Sequence, residues 1–207
     1  MYFAIASAII AVACSAITIK TLVGYSDIRR SRKIIVGFLV VVGWFAPLLV
    51  GLARDSGLFG SEAFAVVSKI LYLMFGTVFI LFSMLLFRDV VWFALYWIYS
   101  KIFGENWKLH PKNINLLDKA NFIVVLLTAV LASMAVYGGA REPELKRLEF
   151  ASARISKDMR IVMINDTHIN RTTPVETVRK LVDRVNALDA DAIVPVSYTH
   201  LRAHETR

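Results

Sequence analysis

The chain has 207 residues, 57% of them hydrophobic, above the ~45–50% apolar content of an ordinary soluble domain. Its formal charge of +8 lies largely between apolar runs, so membrane topology accounts for it and nucleic-acid binding is not expected. The single cysteine, Cys14, excludes an intramolecular disulfide and a cysteine-based metal site.

Crossing the hydrocarbon layer takes ~20 mostly apolar residues as a helix. Four segments meet that requirement: Tyr2–Val23, Ile34–Ala53, Ala63–Phe87 and Phe122–Gly139. The first lacks a basic leader and is closely followed by a second long apolar run. It is therefore read as a retained helix and not a cleaved signal peptide. Pro47 falls inside the second, where membrane helices tolerate a kink. Lys20 and Lys69 lie near segment ends, within reach of the interface, and read as anchors. Val90–Tyr99 holds about ten apolar residues between Arg88-Asp89 and Lys101. Its Trp and Tyr content suits the interfacial belt, so it is read as an interfacial helix and not a fifth span.

Positive charge sets orientation. Loop Ser26–Lys33 carries Arg29, Arg30, Arg32 and Lys33, and loop Arg88–Lys119 carries Arg88, Lys101, Lys108, Lys112 and Lys119. Loop Arg54–Glu62 holds one Arg against two acids. The first and third loops are then cytoplasmic. Four spans place everything after Ala140 on the outer face, whereas a fifth span would reverse that side. The spans read as bare of buried acids and polar clusters, the usual marks of transport, which favours an anchor. The competing expectation is a non-enzymatic multi-pass membrane protein: a transporter, sensor or scaffold. Nothing in the sequence points to a particular oligomeric state.

The residues after Ala140 have ordinary polarity and are too few for a large core. Arg147–Ile155 alternates in part and reads as a strand. Ile161–Ile164 is a continuous apolar run, as in a strand buried on both faces. Thr173-Pro174-Val175-Glu176 is a helix start with a capping box. Val175, Val178, Val182 and Val185 then supply an apolar face, with Arg179, Lys180, Asp183 and Arg184 on the solvated side. Asp191-Ala192-Ile193-Val194 begins another strand. Strand, loop, helix and strand make a βαβ unit, and such sheets bind ligands outside the carboxyl ends of their strands.

Asp166-Thr167-His168 occupies that loop. Asp-x-His alone is a weak signal. At the end of a strand and before a capped helix, its carboxylate and imidazole suit a divalent metal. His110, in Lys108-Leu109-His110-Pro111, reads as an interface residue and not a ligand.

Met159–His168 together with Asn186-Ala187-Leu188-Asp189-Ala190-Asp191-Ala192-Ile193-Val194 resembles a calcineurin-like metallophosphoesterase of the bacterial, membrane-anchored type. The clear resemblance covers Lys157–Val194. Asn165 stands where Ser is commoner, Thr167 where Leu is, and Asn170 where Gly is frequent; the ligand types are unchanged. The resemblance implies a sandwich of two β-sheets between helices. It also implies that Asp166 and His168 ligate the first of two divalent ions, Mn, Fe or Zn. Two such ions ~3.5–4 Å apart would activate a water against a phosphoester, so a phosphoester substrate is expected, its class open. The later bridging Asp, Asn-His and further histidines of the family are not found in the sequence, so Asp166 and His168 are the only site residues expected here. The lipid bilayer is the expected partner, and a bacterial inner membrane the expected location.

Val196–Arg207 reads as a translated sequencing adapter, with Pro195 at the junction. His200 and His204 are accordingly not taken as ligands, despite their spacing. The expected organisation is a transmembrane anchor at 1–140, a linker and first strand at 141–156, the start of the metallophosphoesterase domain at 157–194, and an artefactual tail at 195–207. On this reading the chain is a truncated and inactive fragment of a hydrolase.

Overall fold

The computed structural model describes residues 2–24, 26, 28–56, 60–104, 113–139, 141, 143–151, 157–165, 167, 169, 173 and 175–196. The chain divides into two compact units, Met1–Glu142 and Pro143–Arg207.

The first unit is helical: α1 (Tyr2–Val23), α2 (Arg30–Ser56), α3 (Ser61–Phe103) and α4 (Ile114–Gly139). All four are long and apolar enough to cross a membrane. Their exposed surface is rich in large apolar side chains, such as Ile9, Phe38, Phe79 and Phe122. A lipid layer would solvate such a surface, because its tails are as apolar as leucine.

Close packing holds α2 on α3. A β-carbon at Gly43 would stand 2.7 Å from Val78 Cγ1 and 3.3 Å from the Met74 carbonyl oxygen, so only glycine allows this approach. Pro47 lies one turn later and lacks the N–H that would bond the Gly43 carbonyl. The same stretch is thus freed of a ladder bond and pressed against α3. Trp44 fills the adjoining core beside Ala11, Val40 and Val78. Its ring meets Phe75 and Phe82 edge-on, with centroids 5.9 and 5.4 Å away. Each such aromatic pair contributes ~0.5–1.5 kcal/mol beyond its area. The Trp44 indole N–H donates to Thr18 Oγ1 at 3.4 Å, and the Thr18 hydroxyl donates to the Cys14 carbonyl at 2.7 Å. A second core joins Leu81 and Leu85 of α3 to Val124 of α4.

One expectation for this unit is corrected. Val90–Tyr99 is not a separate helix. It belongs to α3, which runs unbroken for 43 residues. No glycine or proline lies between Thr77 and Phe103, so nothing breaks the ladder until Gly104, at φ 75, whose N–H closes on the Ser100 carbonyl. Most of the expected loop Arg88–Lys119 is therefore helix. A polar cluster lies just beyond the ends of two of the expected spans, next to Phe87 and Phe122. Asn121 is 4% exposed and donates to the Thr21 and Leu22 carbonyls at 3.3 and 3.2 Å, while its own carbonyl oxygen accepts from Arg88. The Arg88 guanidinium also binds the neighbouring Asp89 carboxylate. Read linearly, Arg88 flanks an apolar run; in the continuous helix it faces α4.

The second unit contains β1 (Ile161–Asn165), α5 (Val175–Asn186) and β2 (Ala192–Val196). The two strands are parallel, with Ile161 opposite Ala192 and Asn165 opposite Val196. Here too the structure corrects particulars. Arg147–Ala151 forms no strand, and the rest of that expected element lies outside the described residues. Ile161 and Met163 are exposed, so β1 is not buried on both faces. In α5, Val185 is buried and Val178 and Leu181 are half-buried, as is Leu188 just after the helix, whereas Val175 and Val182 are exposed. The inward face is thus turned from the four valines toward Leu181 and Leu188, and Arg184 is half-buried instead of fully solvated. A two-stranded sheet is too narrow to cover more of the helix.

Candidate metal centre

A parallel pair needs a crossover, and here α5 supplies it. The connection makes both strands run the same way, so Asn165 and Val196, their last residues, share one edge. Asp166 directly follows Asn165 in the chain. Asp166 and His168 themselves lie outside the described residues, as do His110, His200 and His204. Thr167 and Ile169 between and after them are exposed. Among the described residues, no group of three or more His, Cys, Asp and Glu side chains could hold a metal.

The opposite edge of the sheet is tightly built. The Arg160 N–H donates to Asp191 Oδ2 at 2.7 Å, and the Asp191 N–H donates to the Arg160 carbonyl at 2.8 Å. The Arg160 guanidinium also donates to the Leu188 carbonyl at 2.9 Å. Asp189, at φ 48, turns the chain between α5 and β2, a conformation Asp tolerates better than most residues. This clasp sets the strand register, and through it which residues reach the carboxyl edge. Sequence reasoning took Asp191 only as the beginning of a strand. An acid immediately before a β-strand is a signal for such a backbone-binding role.

The helix start lies partly outside the described residues, since Pro174 is among those not described. Glu176 pairs with Arg179 at 3.4 Å across an exposed turn, a contact contributing about 0–1 kcal/mol.

The chain is 26% identical over 128 residues to an uncharacterized metallophosphoesterase of Campylobacter jejuni; the match covers 62% of this chain and 32% of that protein. It thus spans about a third of the length of the curated relative it matches. No family model matches the chain, and no solved structure matches it. The chain, four apolar helices ahead of a two-stranded parallel βαβ unit, is thus distantly similar to a protein named a metallophosphoesterase.

Proposed function

We propose that this chain belongs to a membrane-anchored, metal-dependent phosphoesterase, with α1–α4 as the anchor and Asp166 and His168 as ligands of the first of two divalent ions. The observation that carries the reading is the position of Asp166 in the chain, directly after β1 and on the side where β2 also ends. The distant metallophosphoesterase relative supports it. The donor set fits the group: a carboxylate oxygen and an imidazole nitrogen suit Mn, Fe or Zn. When bound, a pair of such ions supplies an activated water and charge stabilisation for phosphoester hydrolysis. The part of Asp166 and His168 is to hold and orient.

Two ligands do not complete a dinuclear centre. Hydrolysis is accordingly proposed for the whole gene product, and the 207-residue chain alone is proposed to be inactive. The unit after the anchor is proposed to lie on the outer face of a bacterial inner membrane. The basic residues Arg29, Arg30, Arg32 and Lys33 between α1 and α2 support that side.

The test is to sequence the source locus through the codon for Val194 and assay its product. A frame that continues into Gly-Asp-x-x-Asp, with phosphoester hydrolysis abolished by a chelator and restored by Mn, supports the reading. A product whose hydrolysis survives both the chelator and Asp166→Asn overturns it.

A further inference from the structure

α3 has more apolar length than one bilayer crossing uses. Its 43 residues extend ~64 Å, whereas the hydrocarbon layer is ~30 Å thick. Arg88 lies level with the carboxyl end of α1, because Asn121 joins the two there. Beyond it, Asp89–Phe103 continues for about 20 Å as helix.

This extension is two-sided at 100° per residue. Val91, Trp92, Leu95, Tyr96, Ile98, Tyr99 and Ile102 fall on the side of Arg88. Val90, Phe93, Ala94 and Trp97 fall on the other, and all four are exposed, Phe93 by 68%. The exposed Phe79, Leu86 and Phe87 of the preceding segment lie on that same side. The face that meets lipid along the span, on the membrane reading above, therefore runs on without interruption. Lys101 also lies on it, its ammonium 4.4 Å from the centre of the Trp97 ring. The extension leaves the bundle at its basic end, where α1 gives way to the exposed Arg29, Arg30 and Arg32.

We infer that this face of α3 docks on the headgroup layer of an anionic bilayer. Phe93 and Trp97 enter the interface, and Lys101 lies beside lipid phosphate. Tilt of α3 brings the face down to the headgroups. Two observations select lipid over a second copy. The face is continuous with the lipid-facing side of the span, and a second copy would bring the same positive charge to the same place. The inference rests on α3 crossing a membrane, and not on the chemistry of Asp166.

The test uses the full chain in the Cys14→Ser background. Val90→Cys and Phe93→Cys are each labelled with a nitrobenzoxadiazole fluorophore in vesicles of phosphatidylglycerol and phosphatidylcholine. Leu126→Cys, on the exposed side of α4, reports the span, and Leu148→Cys, 75% exposed, reports water. The expected result is that labels at 90 and 93 are quenched more by shallow than by deep lipid nitroxides. They should also be severalfold less sensitive to aqueous iodide than the label at 148, and lose protection when phosphatidylglycerol is omitted. Stronger quenching by deep nitroxides, which means a further crossing, overturns the inference. So does iodide quenching equal to that at 148, and so does shielding from lipid and water alike, the signature of a second copy. The label at 126 separates these failures from failure of the anchor, since deep quenching there shows that α4 spans.

Discussion

Arg88 of α3 and Asn121 of α4 lie 33 residues apart in sequence and share a hydrogen bond at the end of the helical bundle. Asn121 spends its amide hydrogens on the last carbonyls of α1, so one side chain ties three helices together. The α1 carbonyls are the orphan acceptors that every helix end must satisfy. The Arg88 side chain is only 10% exposed, and its charge is met by Asp89 and Asn121.

Asn121→Leu should destabilise the bundle by about 1–3 kcal/mol, since it strands Arg88 and the α1 carbonyls together. Arg88→Leu combined with Asn121→Leu should cost less than the sum of the two single changes, because the second removes a partner already lost. Denaturant unfolding in micelles, followed by circular dichroism, reads both. Additive losses would show that the two residues do not act as a unit.

Gly43→Val should cost at least as much as a typical overpacking substitution, about 1–3 kcal/mol. The new β-carbon would meet Val78 Cγ1 at 2.7 Å, and a β-branched neighbour has little freedom to turn away. Adding Val78→Ala should recover part of the loss. The same unfolding assay applies, and Gly51→Val serves as control because nothing lies within 4 Å of a β-carbon there.

Asp191→Ala should loosen the amino edge of the sheet by about 0.5–1.5 kcal/mol, the ordinary net contribution of a hydrogen bond. Faster amide exchange at Ile161–Asn165 than in the unsubstituted chain is the expected readout. Unchanged exchange would mean that the reciprocal backbone bond between Asp191 and Arg160 holds the register without the carboxylate.

Asp166→Asn in the whole gene product should lower phosphoester hydrolysis by at least ~10²-fold, with lower bound metal by mass spectrometry. Loss of activity with metal content unchanged would assign Asp166 a role other than ligation.

Much of the helical unit was legible because hydropathy is a local property. Twenty consecutive apolar residues cannot be a loop, and α1 covers Tyr2–Val23 as read from the sequence. The ends of α3 were not legible in the same way. Arg88-Asp89 looks like a boundary when charge alone is weighed, yet two charged residues that pair with each other do not interrupt a backbone ladder. In α5 the valine spacing located the helix, but the face it buries was set by the width of a sheet two strands across. Asp166 and His168 could be nominated from their pattern, since strand, acid and imidazole are adjacent in the chain.

The sequence by itself determined where apolar length suffices to cross a bilayer, where a strand leads into Asp166, and where a helix must start. These follow from neighbours along the chain. Only the tertiary structure decided that Asn121 joins Arg88 to the end of α1, that Gly43 admits Val78, and that Asp191 closes on Arg160. Each of these pairs is 31 or more residues apart. Such contacts depend on which helix faces and strand edges come together in space, and no local pattern encodes that choice.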